Sequence, residues 1–141
     1  AFAEEGLYLS MEESGEDAPI RIDRGEFARV LRNLWENSSK YRRSTDVHVH
    51  MSLAAEGEQI AVRCDDDGTG VRREDLPKLF DSFYRTDAAR TNVAAGSGLG
   101  LAIVRRIMTA FGGSVRAEEA PQGGLRIVLL LPIAQKQGDI A

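Results

Sequence analysis

The sequence predicts a single domain that mixes helices with strands. Apolar residues recur at helical spacing in two segments, they alternate in several short runs, and no shift in composition divides the chain. At 141 residues the chain is long enough to bury a real core. Its 43% hydrophobic and 28% charged content is that of an ordinary soluble globular protein. A net charge of −4 gives no sign of a nucleic-acid surface or of a surface that binds anionic membranes. The lone Cys64 rules out an internal disulfide and fits a reducing compartment. The longest apolar run, residues 127–131, is far too short to span a bilayer, and no signal peptide is visible. The chain begins at Ala1 rather than Met and is expected to be part of something longer.

Leu7, Leu9 and Met11 alternate with Tyr8 and Ser10, as in a strand, and Ile20 and Ile22 begin a second one across an acidic turn. Together they predict an opening hairpin. Asp23 is placed to cap a helix over residues 25–41. Phe27, Val30, Leu31, Leu34 and Ser38 form its core stripe, with Trp35 at one edge. Asn33, Asn37 and Lys40 share the other edge, four and three residues apart. Asn is a poor interior helix residue, so two on one line need a reason. One reading is a solvated polar face. The other is a metal–phosphate site, where amide oxygens suit a hard cation and the ammonium suits phosphate.

Val47, Val49, Met51 and Leu53 alternate with Asp46, His48, His50 and Ser52, giving a half-buried strand. The two histidines fall on its polar face and read as solvent-facing, since a zinc site would need further ligands. In the next strand, residues 59–66, Ile60, Val62 and Cys64 point one way, and continuing the alternation puts Asp66 on the same apolar side. A carboxylate there is costly unless something donates hydrogen bonds to it. Gly68 and Gly70 follow at once and let a ligand approach the backbone, so the stretch suggests a pocket wall awaiting a ligand's N–H donors. Two other readings stand beside this one. Asp65, Asp67, Gly68 and Glu74 match four positions of a calcium-binding EF-hand loop, although Arg63 would occupy its first ligand position. A plain polar turn is the other.

Residues 74–80 predict a short helix, with Leu76, Leu79 and Phe80 turned inward. Residues 86–95 are small and polar without periodicity, as in a lid. Gly96-Ser97-Gly98-Leu99-Gly100-Leu101 opens a helix to about Phe111, and glycines at a helix N-terminus expose N–H groups to an anion. The G-x-G-x-G spacing matches neither a dinucleotide fingerprint nor a P-loop. Two strands, residues 114–119 and 125–131, meet across Pro121-Gln122-Gly123-Gly124.

In this order the segments resemble the catalytic ATP-binding domain of sensor histidine kinases, in the GHKL ATPase superfamily. Asn33-Leu34-Trp35-Glu36-Asn37-Ser38-Ser39-Lys40-Tyr41 resembles the N-box, and Asp66-Asp67-Gly68-Thr69-Gly70-Val71 the first glycine box. Leu79-Phe80-Asp81-Ser82-Phe83-Tyr84-Arg85 resembles the F-box, and residues 96–101 the second glycine box. Nearly the whole chain is covered. The resemblance implies an α/β two-layer sandwich, a mixed sheet covered on one face by helices, with Mg·ATP held between helix and lid.

It also implies roles. Asp66 is to accept the adenine amino group, Tyr41 to pack on adenine, and Asn37 to coordinate Mg²⁺ with Asn33 as polar support. Lys40 is to approach the phosphates, and Arg85 to neutralise the γ-phosphate during transfer. Gly68, Gly70, Val71 and Phe83 complete the nucleotide site, together with Gly96, Ser97, Gly98, Leu99, Gly100 and Leu101 around the phosphates. Asn37, Lys40 and Arg85 are then the catalytic set.

Two departures stand out. Ser38 replaces the small Ala usual after the metal-binding Asn, and its hydroxyl, on the buried stripe, needs a partner. Asp67 replaces the common Asn of the glycine box. His48 and His50 do not match the phosphoacceptor motif, so the implied acceptor is a histidine on a separate dimerisation domain of the same kinase, with a response regulator downstream and a cytoplasmic location. No nucleic acid or direct membrane contact is expected. The alternatives are a degenerate nucleotide-binding or interaction module, an anti-sigma-factor-type serine kinase, and a gyrase-, MutL- or chaperone-type ATPase. The last would need Glu where Asn33 stands.

Overall fold

The computed structural model describes residues 7–13, 20–40, 46–84 and 99–133. A five-stranded sheet is built from β1 (Leu7–Glu13), β2 (Val47–Glu56), β3 (Gln59–Asp66), β4 (Ser114–Glu119) and β5 (Leu125–Pro132), in the order β1-β2-β3-β5-β4. β1 runs parallel to β2, and the other pairs are antiparallel. The sheet is therefore mixed, as the resemblance implied.

The opening hairpin does not form. Ile20 makes only an isolated bridge to Ile133, and β1 pairs instead with β2, Leu7 beside Val47 and Glu13 beside Leu53. Parallel neighbours need a crossover, and the helix between them supplies it. Ile20 and Ile22 instead pack against the edge of the core.

That helix, α1 (Arg24–Lys40), starts at the expected cap. The Glu26 N–H donates to Asp23 Oδ2 at 3.0 Å, satisfying one of the first-turn donors. A second helix, α2 (Gly100–Ala110), packs against α1, and the Gly113 N–H returns to the Met108 carbonyl at 2.8 Å to end it. The expected short helix is a 3₁₀ segment, Arg73–Lys78, with Pro77 inside it. Proline lacks the N–H that an α-helix would need there.

The core lies between the helices and one face of the sheet. Val30 and Leu34 of α1 and Val104, Ile107 and Met108 of α2 join Val49, Val62, Ile127 and Leu129 of the sheet in one cluster. Alternation places Val49, Met51, Val62, Cys64, Ile127 and Leu129 on this face, and His48, His50, Arg63, Asp65 and Arg126, with buried Ala61 and Val128, on the other. The two layers are thus set by period in the strands and by stripe in the helices.

Candidate nucleotide site

Asp66 ends β3 on the helix-facing side and is only 3% exposed. Its Oδ1 accepts the N–H of Gly68 and the N–H of Leu125, each at 3.0 Å. The Ser38 side chain of α1 lies near the same carboxylate. The protein thus supplies donors of its own where the strand pattern pointed to a ligand's. Burial still pushes the Asp66 carboxyl above the usual range. The N–H groups of Leu125 and Gly68 and the Ser38 hydroxyl pull it down, and the charge of Asp67 pushes it up.

Glycines fit the Asp66 turn together with the β4–β5 turn. A Cβ on Gly124 would stand 2.6 Å from Asp66 Oδ1 and inside contact distance of the Asp66 carbonyl oxygen. Gly70 has φ +76°, and a Cβ there would stand 2.5 Å from the Gly123 carbonyl oxygen. The two turns are therefore packed backbone against backbone.

Helix α1 lies against both glycine segments. Ser38 reaches the first, and Asn33 lies against the second, since a Cβ on Gly100 would be 3.2 Å from Asn33 Oδ1. Asn33 Nδ2 donates to the Arg29 carbonyl at 2.9 Å, which fixes its amide oxygen toward α2. Asn37 is buried and lies between these two contacts in sequence. Gly68 is buried, Gly70 and Val71 are half-buried, Leu99 precedes the first turn of α2, and Leu101 packs into the core. Phe83 does not join this group: it is 69% exposed, with φ +65° in the left-handed region. Tyr41, Arg85, Gly96, Ser97 and Gly98, the Lys40 side chain and the expected lid lie outside the described residues.

The carboxylates of the EF-hand-like stretch are not gathered around a point. Asp65 forms a two-pronged pair with Arg126, at 2.6 and 2.8 Å, on the opposite face of the sheet. Asp67 accepts the backbone N–H of His48, at 2.8 Å, and contacts its ring Nδ1, at 2.9 Å. Glu74 pairs with Arg72. Among the described residues no group of three His, Cys, Asp or Glu side chains is placed to hold a metal.

Sequence reasoning missed three supports. The first is Leu125, whose N–H reaches Asp66 across 59 positions. The second is the Asp65–Arg126 pair, which the polar face of β3 hinted at only through Asp65 itself. The third is buried Asp75, held by the Tyr84 hydroxyl and by Arg72 Nε at 3.2 Å, which ties the F-box-like end to the 3₁₀ segment. The Tyr84 hydrogen bond first, and then Arg72, hold the Asp75 carboxyl below its usual range against its burial.

The sequence pattern of the family described as "Histidine kinase-, DNA gyrase B-, and HSP90-like ATPase" matches residues 22–135. The chain belongs to that family, as a catalytic ATP-binding domain of the histidine kinase type. The sensor histidine kinase CpxA of Escherichia coli (strain K12) is 40% identical over 107 residues, 76% of this chain and 23% of CpxA. The chain therefore spans about a quarter of that relative's length. The mycobacterial sensor histidine kinase MprB shares the fold with a TM-score of 0.76 at 24% identity, over 93% of this chain and 86% of the MprB chain. Full-length ShkA, solved in complex with AMPPNP, matches 94% of this chain and 27% of its own, with a TM-score of 0.72 and 26% identity.

Proposed function

We propose that this chain binds Mg·ATP and transfers the γ-phosphoryl group to a histidine on a separate dimerisation domain of the same kinase, in the cytoplasm, for passage to a response regulator. The observation that carries the proposal is the meeting at α1. Ser38 of α1 lies near the Asp66 carboxylate and Asn33 against the start of α2, with Asn37 between them in sequence. A base acceptor and a helix N-terminus suited to phosphate thus both lie against α1. The complex of ShkA with the ATP analogue AMPPNP supports the same nucleotide class.

In this reading Asp66 accepts the adenine amino group and Tyr41 packs on the base. Lys40 and the N–H groups at residues 96–101 hold the phosphates, bordered by Gly68, Gly70 and Val71. The Asn37 amide oxygen fits a hard cation, and a site with one protein oxygen suits Mg²⁺ that shares its other positions among phosphates and water. Bound there, Mg²⁺ would neutralise phosphate charge. The Arg85 guanidinium adds positive charge where the transferring group needs it. Asn33, where a hydrolysing relative carries Glu, presents an amide with no capacity to take a proton from water. Transfer to an imidazole brought in line is favoured over hydrolysis.

The test mixes the chain with the dimerisation domain of its own kinase and radiolabelled ATP. Acid-labile label is expected on the dimerisation domain, and Arg85→Ala is expected to lower transfer more than ATP affinity. Label on the chain itself, or fast phosphate release without the partner, would overturn the proposal. Among the described residues no helix is long and apolar enough to cross a membrane.

A further inference from the structure

Phe83 is the one large hydrophobic side chain that stands exposed among the described residues, and the function above gives it no task. It is 69% exposed, with φ +65° in the left-handed region. The Tyr84 N–H donates to the Asp81 carbonyl at 3.2 Å, which makes Phe83 the third residue of a closed four-residue turn. Glycine or asparagine suits a left-handed third position, and a bulky aromatic is strained there. The fold therefore carries strain for a side chain that it does not bury. Such outliers persist where their surroundings over-determine them, and they gather at functional sites.

The surroundings that hold this one are explicit. Leu79 and Phe80, just before the turn, are buried in the core. Just after Phe83, the Tyr84 hydroxyl donates to Oδ1 of buried Asp75, whose Oδ2 accepts from Arg72 Nε at 3.2 Å. Asp81, the first residue of the turn, meets Arg105 of α2 at 3.4 Å. The turn is thus tied on both sides of Phe83. Ser82, beside it in the turn, lines a cavity of about 480 Å³ together with Arg105, Arg106 and Thr109 of α2. Both arginines are exposed, so the rim of this cavity is positive.

We propose that Phe83 is the aromatic contact by which the chain docks the dimerisation domain that carries the acceptor histidine. The inference deepens the function proposed above and rests on it for the identity of the partner. In that reading Arg85, two residues after Phe83 in sequence, serves the γ-phosphate, and an imidazole in line with that phosphate brings its carrier over this end of the chain. An aromatic side chain on backbone that is already fixed is a suitable anchor, because less freedom is lost on binding. The matching surface is an apolar socket with acidic groups toward Arg105 and Arg106. Tyr84 and Asp75 are positioning residues, which act through the backbone of Phe83.

The experiment follows radiolabelled transfer from ATP at rising concentrations of the dimerisation domain. ATP affinity is read by calorimetry, docking by NMR titration of the dimerisation domain, and stability by urea melts. Phe83→Gly and Phe83→Asn relieve the left-handed strain, so at least one should melt at or above the parent midpoint. In both, KM for the dimerisation domain should rise about tenfold or more, with kcat and ATP affinity within about twofold of the parent values. Phe83→Tyr should keep most of the docking. Tyr84→Phe should raise the same KM by about threefold in the parent chain, and by nothing further in the Phe83→Gly background. An unchanged KM, an equal loss of ATP affinity, or a lowered midpoint in both strain-relieving variants would overturn the inference. So would a dimer of the chain alone, seen in sedimentation and abolished by Phe83→Gly, since the partner would then be a second copy. If the parent chain docks the dimerisation domain through Phe83 but passes it no label, the transfer reading fails and the docking inference stands.

Discussion

Replacing Gly124 by Ala tests how the site is built, because a single methyl has nowhere to go. The added Cβ would fall 2.8 Å from the Asp66 carbonyl carbon, 2.6 Å from Asp66 Oδ1, and closer still to the carbonyl oxygen. Ordinary contact starts near 3.4 Å, so the β4–β5 turn or the Asp66 turn must retreat by about 1 Å. The retreat stretches the Leu125 N–H bond to Asp66 from 3.0 Å to about 4 Å, past any useful hydrogen bond. Losing a bond to a buried charge costs about 1.5–3 kcal/mol, and the overpacking adds about 1–3 kcal/mol. The variant should therefore be destabilised by about 3–5 kcal/mol in urea melts, a large share of the 5–15 kcal/mol typical of a domain. Gly57→Ala is the control. Unlike Gly124, Gly57 has positive φ, +64°, but nothing lies within 4 Å of its added methyl, so its cost should stay near 1 kcal/mol. ATP affinity should fall with Gly124→Ala and hold with Gly57→Ala. If Gly124→Ala melts within about 0.5 kcal/mol of the parent chain, the backbone packing of the two turns is not what holds Asp66.

Further outcomes follow from the ion pairs and the helix edge. Arg126→Ala strands buried Asp65 without its cation and should cost about 3 kcal/mol. Asp65→Ala leaves a more exposed Arg126 with Glu118 4.0 Å away, and should cost less; denaturant melts that reverse this order would refute it. The depressed Asp75 carboxyl contributes stability that is present above the unfolded value of about 3.9 and is lost as pH falls through its lower folded value. Tyr84→Phe should make that acid loss set in at higher pH, which urea midpoints across pH 2–6 would register. Asn37→Ala should weaken Mg·ATP more than metal-free ATP, read by calorimetry with Mg²⁺ or with a chelator.

What could be read from the sequence was whatever its own neighbours decide. Asp66 turned inward because a strand has period two, and the Asp23 cap formed because its partner lies three residues away. Partners distant in sequence were out of reach. β1 chose β2 over the nearer Ile20–Ile22 run because the α1 crossover makes parallel pairing available, and nothing in residues 7–13 signals direction. Ser38 declared a need for a partner by sitting on a buried stripe, but the identity of that partner is a property of the packed helix and sheet. Arg126 and Asp65 likewise become a pair only through the β3–β5 register, 61 positions apart. Gly123-Gly124 was legible as a turn, while its fit against Asp66 depends on how two turns meet.

The Asp66 carboxylate also sets binding against stability, and the sign can be worked out. Its folded-state carboxyl titrates above the unfolded value of about 3.9, so the folded state holds the proton more tightly. That contribution favours folding at low pH and is lost as pH rises through the folded value, leaving the buried charge a net cost near neutrality. Asp66→Asn removes the charge while its amide oxygen still accepts from Gly68 and Leu125. Without nucleotide the variant should therefore melt at or above the parent chain near pH 7. With Mg·ATP at about 100 times the parent Kd the parent gains about 2.7 kcal/mol, and the variant, now opposing one NH₂ to another, gains far less. Thermal melts in the two conditions should cross over. If Asp66→Asn without nucleotide instead loses stability as Gly124→Ala is expected to, the carboxylate is structural, and its burial needs no ligand to explain it.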